Sequence, residues 1–254
     1  MAQNGTQPAA YKRIILKLSG EALAGPQGFG IDTDSAAFIA HRIKQLHDLD
    51  LQIGIVVGAG NLWRGSMGVS RGMDQSTADH MGMIGTVMNG LALQDALERD
   101  GVKTRVQTAV QMNTVAEPYI RLRAIRHMEK GRVVIIAGGT GNPYFTTDTA
   151  AAVTTDTAAA LRAKELNADI VIKATKVNGV YSADPKKDPN ATRFDRLDYE
   201  TVLQKRYAVM DMTAFALCQD NNLPILVVDF WAEGDLLKAV QGDHSVGTLI
   251  SNQV

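Results

Sequence analysis

Short, continuously apolar runs alternate along the chain with stretches in which apolar residues recur every three or four positions. Ile14-Ile15-Leu16-Lys17-Leu18, Ile53-Gly54-Ile55-Val56-Val57, Val133-Val134-Ile135-Ile136-Ala137, Ile170-Val171-Ile172-Lys173-Ala174 and Leu226-Val227-Val228 have strand length. They lack the polar alternation of a strand with one wet face. Between them the helical period predicts three larger helices. One carries Ile39, Ile43 and Leu46 on one face and is capped at Asp34 or Ser35. A long one runs from about Thr77 to Arg99 with Ile84, Val87, Met88 and Leu91 on one side. The third starts at Pro118, carries Leu122, Ile125 and Met128, and stops at Gly131. A short helix near Leu236 to Val240 and a last strand, Thr248-Leu249-Ile250, close the pattern. Strands apolar on both faces, alternating with helices, predict an α/β fold with a mainly parallel sheet covered on both sides. The expected organisation is one domain over residues 11–254 after a polar, disordered lead-in, 1–10. The polar stretch Ser182 to Arg196 is expected to be a surface excursion.

Composition narrows the function classes. Lys+Arg number 26 against 27 Asp+Glu, a formal charge of −1 with no basic run, which argues against a nucleic-acid or anionic-membrane partner. No apolar stretch is long enough to span a bilayer, and the N-terminus lacks the charged-then-apolar order of a signal peptide. The single cysteine, Cys218, excludes a disulfide framework and points to a reducing, cytoplasmic setting. His41, His47, His80, His127 and His244 show no metal-ligand spacing, and the ten methionines read as adaptable packing.

The candidate chemistry lies in the turns. Ser19-Gly20, Gly58-Ala59-Gly60-Asn61 and Gly138-Gly139-Thr140-Gly141-Asn142 each follow a predicted strand. In a parallel sheet they fall at the carboxyl ends of the strands, where exposed N–H groups can cradle phosphate. Three such loops suggest more phosphates than one mononucleotide carries. No Gly-Lys dipeptide occurs, so there is no Walker-A loop, and the dinucleotide fingerprint fails at Trp63. Phosphoryl transfer would then need other cations. Lys17 and Lys173 sit inside apolar strands, and Arg64 follows the second loop. Both lysines could instead reach the surface at strand ends. Asp148 and Asp211 are the carboxylates to pair with them, although helix capping would explain either.

One segment is duplicated: Thr146-Thr147-Asp148-Thr149-Ala150-Ala151-Ala152-Val153 is followed at once by Thr154-Thr155-Asp156-Thr157-Ala158-Ala159-Ala160-Leu161. Two helix N-caps therefore compete. Eight extra helical residues would add about 12 Å and turn everything after them by about 80°, so the extra residues are expected to loop out or the register to reset. The first copy is contiguous with the Gly139 to Phe145 loop and is assigned the functional role.

Lys17-Leu18-Ser19-Gly20-Glu21-Ala22-Leu23, Gly58-Ala59-Gly60-Asn61-Leu62-Trp63-Arg64-Gly65, Asp79-His80-Met81-Gly82-Met83, Gly139-Thr140-Gly141-Asn142-Pro143-Tyr144-Phe145-Thr146-Thr147-Asp148, Lys173 through Pro185 and Val209-Met210-Asp211 resemble the bacterial uridylate (UMP) kinases of the amino acid kinase superfamily. The resemblance runs in order from about Tyr11 to Ser251, and the motif set is specific to UMP kinases within the superfamily. It implies a single three-layer α/β/α sandwich around a mainly parallel sheet. It also implies transfer of the γ-phosphoryl group of ATP to UMP, with Mg²⁺, giving UDP and ADP in pyrimidine biosynthesis.

By the same resemblance Lys17, Leu18, Ser19, Gly20, Gly60 and Arg64 lie on the ATP phosphate side, and Thr175, Tyr181 and Asp184 on the adenosine side. Ala59, Asp79, Thr140, Gly141, Asn142, Pro143, Tyr144, Phe145, Thr146 and Thr147 match UMP positions, with Asp79 facing the ribose hydroxyls. Lys17 and Lys173 would neutralise the transferring group, Asp211 would hold the lysines with Asp148 assisting, and Mg²⁺ would be held mainly by phosphates. The family is usually a homohexamer and an allosteric enzyme, activated by GTP and inhibited by UTP. Gly25, Pro26, Gln27, Gly28, Phe29 and Gly30 match the loop assigned to GTP activation. Arg105 and Arg132 could face an effector's phosphates, whereas Gln94 and Glu98 stand where some GTP-responsive relatives are basic, and a carboxylate there would repel a triphosphate. Ala59 replaces a glycine common in relatives and is tolerated at negative φ. The alternatives from other classes are a non-catalytic nucleotide-binding protein and a sibling kinase acting on a carboxylate or carbamate.

Overall fold

The chain is described by a computed structural model that covers residues 8–145, 155–185, 187–205, 207 and 209–252. In chain order its elements are β1 (Arg13–Leu18), α1 (Thr33–His47), β2 (Gln52–Val57), α2 (Gly65–Val69), α3 (Gln75–Arg99), β3 (Thr104–Thr108), β4 (Glu117–Pro118), α4 (Arg121–Glu129) and β5 (Val133–Ala137). Then follow α5 (Thr155–Glu165), β6 (Ile170–Thr175), β7 (Val180–Tyr181), β8 (Arg193–Phe194), β9 (Arg196–Asp198), α6 (Tyr199–Lys205), α7 (Met212–Asp220), β10 (Ile225–Asp229), α8 (Asp235–Val240) and β11 (Gly247–Ser251).

Nine strands form one sheet in the order β4-β3-β5-β2-β1-β6-β10-β11-β9, and every pairing is parallel except β10 with β11. Alternate strand residues enter two cores. Ile14, Leu16 and Leu18 pack toward α1, α3 and α8. Ile15, Val56 and Val171 pack toward α4, α5, α6 and α7. This is the expected three-layer sandwich. The excursion after β7 carries a small antiparallel pair, β7 with β8. Among the described residues no helix is long and apolar enough to cross a membrane. Of the expected lead-in, residues 1–7 lie outside the described residues.

Several expectations are corrected. The cap of α1 is Asp32, whose side chain accepts from the Ser35 N–H at 2.7 Å, one turn ahead of Ala36, the first apolar residue of the helix, and so invisible to the pattern. Pro118 belongs to the edge strand β4, where its missing N–H costs nothing. The Tyr119 N–H still pairs with the Thr108 carbonyl, and α4 begins only at Arg121. The face of α3 is also different. Val87 is buried, but Ile84 and Met88 are 45% and 50% exposed. Alongside Met83, Val87, Leu93 and Leu97, the buried face holds Gly82, Gly85, Asn89 and Gly90, where the helix comes close to its neighbours. A Cβ on Gly85 would sit 2.9 Å from that of Ala59. Strand β3 and helices α6 and α7 carry too little apolar period to be predicted, whereas α5 is a helix the Thr-Thr-Asp caps anticipated. The first repeat copy and Thr154 lie outside the described residues, and α5 begins at Thr155, inside the second copy.

Candidate active site

Because β5, β2 and β1 are adjacent and parallel, the turns that follow them share one rim of the sheet. Two of these turns interlock. A Cβ on Gly20 would lie 2.5 Å from the Gly58 carbonyl oxygen and 2.6 Å from Asn61 Oδ1, so only glycine fits there. Ser19 caps the short turn Gly20–Leu23 by accepting from the Glu21 N–H. Arg64, exposed, is ion-paired with Glu21, and its Nε lies 3.5 Å from the Gly60 carbonyl.

The two lysines meet at this rim. Lys17 on β1 and Lys173 on β6 are register partners, so both point to the α5 side of the sheet. A single carboxylate joins them: Asp156 Oδ1 is 2.9 Å from Lys17 Nζ, and Oδ2 is 2.8 Å from Lys173 Nζ. All three side chains are largely buried, at 12%, 15% and 8% exposure. Lys173 also donates to the Val209 carbonyl. Burial opposes the charge on Asp156, but Lys17 and Lys173 outweigh it and hold its carboxyl below the ordinary aspartate range. Burial pulls the Lys173 ammonium below the ordinary lysine range, with Asp156 opposing. Asp156 sits in the first turn of α5, where the helix dipole also favours negative charge. Two ammoniums share one carboxylate, so the cluster keeps a net charge of about +1 facing the glycine turns.

Asp148, assigned above to assist the lysines, lies outside the described residues, and the carboxylate found between them is Asp156 of the second copy. Asp211, expected to hold the lysines, acts at one remove. Its oxygens accept from the Thr157 N–H at 3.0 Å, the Thr157 hydroxyl at 2.7 Å and the Ala214 N–H at 2.6 Å. It thereby caps α7 and fastens the first turn of α5. The signal for Asp156 was present as a second, identical Thr-Thr-Asp; contiguity with Phe145 pointed to the other copy.

The third turn is built of left-handed backbone, with Gly138, Gly139 and Gly141 at φ 75°, 58° and 90°. Its neighbours hold it from three directions. Gly138 N–H donates to Thr86 Oγ1 at 2.8 Å. The Gly139 carbonyl accepts from Arg162 Nη2 at 3.0 Å. The Tyr144 N–H donates to Asp79 Oδ2 at 2.7 Å, which fixes Tyr144 at φ 69°, an uncommon conformation for a bulky residue. Asp79 is fully buried, while Tyr144 and Phe145 stand 61% and 64% exposed. Thr140 Oγ1 accepts from the Asn142 N–H, with Gly141 and Pro143 completing the loop. Thr146 and Thr147 lie outside the described residues. Arg162, 4% exposed, was not anticipated. It stacks 4.2 Å from the Tyr119 ring centroid and pairs with Glu165 at 2.7 Å.

Beyond β6, Thr175 Oγ1 accepts from the Val177 N–H, Tyr181 donates to Asn178 at 2.6 Å, and Asp184 lies 3.8 Å from Lys187. In the loop expected to serve activation, Gly25, Gly28 and Gly30 all have positive φ and Phe29 is 68% exposed. Arg105 is already taken by Glu98 at 3.5 Å and Glu117 at 3.8 Å, and Arg132 contacts His127.

The sequence model of the Amino acid kinase family matches residues 12–229. Among solved structures, a UMP kinase from Bacillus anthracis is 39% identical, with TM-score 0.89, covering 96% of this chain and 97% of its own. A UMP kinase from Ureaplasma parvum is 34% identical, with TM-score 0.84 over 94% of this chain and 98% of that one. A uridylate kinase from Archaeoglobus fulgidus is 26% identical, with TM-score 0.70 over 94% and 99%. With the parallel sheet, the rim of glycine turns and the sequence all in agreement over nearly its whole length, the chain belongs to the amino acid kinase family.

Proposed function

We propose that this protein is a UMP kinase, transferring the γ-phosphoryl group of ATP to UMP in pyrimidine nucleotide synthesis. The observation that carries the reading is the Lys17–Asp156–Lys173 cluster at the rim where three glycine turns converge. Phosphoryl transfer asks a protein chiefly for positioning and for positive charge where the transferring oxygens pass. A UMP phosphate oxygen attacks the γ-phosphorus and forms the new P–O bond. The bond from the γ-phosphorus to the β,γ-bridging oxygen breaks, and ADP leaves with that electron pair. A phosphate monoester is largely dianionic at neutral pH, since its second pKa is about 6, so no protein base is needed.

Lys17 and Lys173 offset the charge on the transferring group, and Asp156 keeps the two ammoniums aimed and prevents their mutual repulsion. Ser19, Gly20 and Gly60 serve the donor phosphates, with Leu18 and Arg64 beside them; Thr175, Tyr181 and Asp184 serve the adenosine. Asp79, Ala59 and the 138–145 loop serve UMP. Mg²⁺, which would arrive with the donor, would be held mainly by phosphate oxygens and would offset their charge. The carboxylate nearest the centre fits that assignment, because both of its oxygens are already taken by lysines.

The proposal extends to a cytoplasmic homohexamer, which the exposed apolar stripe Met81, Ile84 and Met88 on α3 supports. It includes GTP as activator, through the 25–30 loop, and UTP as inhibitor. A triphosphate that reached Arg105 would have to displace two carboxylates. A sibling kinase acting on a carboxylate shares the fold, and fold alone does not choose a substrate. The buried Asp79 beside the third turn favours the nucleotide, since a carboxylate there suits ribose hydroxyls better than an anionic amino acid.

The test is coupled ADP release with UMP, CMP, dUMP and acetylglutamate side by side. UMP should be turned over fastest; turnover of acetylglutamate without turnover of UMP would overturn the assignment. Lys17→Ala should lower kcat by about 10²–10³ with the fold retained.

A further inference from the structure

Asn61 and Asn89 are both fully buried, and a buried amide is costly unless its hydrogen bonds are made. These two bond each other reciprocally. Asn89 Nδ2 donates to Asn61 Oδ1 at 2.7 Å, and Asn61 Nδ2 donates to Asn89 Oδ1 at 3.0 Å. Their remaining bonds go to turns. Asn89 Nδ2 donates to the Gly58 carbonyl at 2.7 Å, and Asn61 Nδ2 donates to the Gly30 carbonyl at 2.7 Å. The Gly30 N–H donates back to the Asn61 carbonyl at 2.9 Å. Three residues earlier on α3, Thr86 accepts from the Gly138 N–H at 2.8 Å. One helical turn thus holds the second glycine turn at Asn89 and the third at Thr86, at points about 4.5 Å apart along the axis.

We propose that α3 sets the spacing between the turn that presents Gly60 to the donor phosphates and the acceptor loop, with Asn89, Asn61 and Thr86 as positioning residues for phosphoryl transfer. The assignment of the turns to donor and acceptor rests on the function proposed above. Each turn can still bind its own nucleotide when its anchor is lost, but the reacting atoms are no longer matched. A misplacement of about 1 Å costs about 10²-fold in rate. The signature is therefore a loss in kcat with KM nearly unchanged.

The test compares Asn89→Ala, Thr86→Val and their double variant with Leu93→Ala, which empties a buried site one turn further along α3 and bonds neither turn. Hydrogen exchange on the unliganded protein is read first. Asn89→Ala should speed exchange in the Gly58–Asn61 turn and at Gly30, Thr86→Val should do so at Gly138, and Leu93→Ala should do neither selectively. In steady state with UMP, or with whichever acceptor the wild type turns over, each single anchor variant should lose about 10–100-fold in kcat with both KM values within threefold. The double variant should be no worse than the weaker single one, because either break already uncouples the turns. Leu93→Ala should keep kcat within threefold despite an equal or larger fall in Tm.

Unchanged exchange at the named amides, a loss confined to KM, additive losses in the double variant, or an equal kcat loss in Leu93→Ala would each overturn the proposal. Failure of the wild type on UMP would instead overturn the proposed substrate, leaving the exchange pattern and the kcat pattern on the true acceptor to decide this one.

Discussion

Replacing Asp156 by asparagine removes the charge that two buried ammoniums share, at nearly constant volume. The Asp156 side chain is 8% exposed, so little solvent screens the loss. Breaking a buried ion pair by neutralising one partner costs about 3–5 kcal/mol of stability. Two unit charges about 5 Å apart at an effective dielectric of about 20 repel by about 3 kcal/mol, which is the force turning Lys17 and Lys173 away from each other once the carboxylate is gone. Their aim on the phosphoryl group should fail accordingly, with kcat down by about 10²–10³. Asp148→Asn changes the same residue type in an identical local sequence, eight positions earlier, and should leave kcat within threefold of wild type. Both variants are compared by coupled ADP release at saturating ATP and UMP, with Tm recorded for each. A large kcat loss in Asp148→Asn would show that the first copy serves the site. A near-normal kcat in Asp156→Asn would show that the lysines do not depend on this carboxylate.

Removing residues 146–153 joins Phe145 to Thr154 and leaves one Thr-Thr-Asp ahead of α5; activity should stay within about fivefold of wild type, and its abolition would give the first copy an essential role. The depressed Asp156 pKa implies a pH window for stability. Above the unfolded aspartate value of about 4 its contribution is complete, and it disappears as pH falls below that value toward the folded pKa. The Tm gap between wild type and Asp156→Asn should therefore be constant near neutrality and narrow below about pH 4, in thermal melts at matched ionic strength. Arg162→Ala should cost about 3–5 kcal/mol in urea titration, because it removes the ion pair to Glu165, the stacking on the Tyr119 ring and the donor to the Gly139 carbonyl together; a cost below about 1 kcal/mol would refute a structural role.

The amino-acid order alone determined the parallel sheet and one rim of its chemistry. Strands such as Ile14 to Leu18 and Ile170 to Ala174 are apolar on both faces, and a glycine turn right after a strand can only lie at its carboxyl end. Lys17 and Lys173 were visible because a cation inside an apolar run is anomalous wherever the strand goes. Tertiary structure decided what local sequence leaves degenerate. Two copies of Thr-Thr-Asp have the same propensity, the same capping chemistry and nearly the same neighbours. The selection of Asp156 comes from Lys17, far away in the chain, and from Asp211 gripping Thr157. The face of α3 was likewise undecidable from hydrophobicity, since close approach to the glycine turns rewards small and amide side chains there and leaves Ile84 and Met88 outward. Periodicity reads how strongly a position avoids water; it does not register how near another backbone will come.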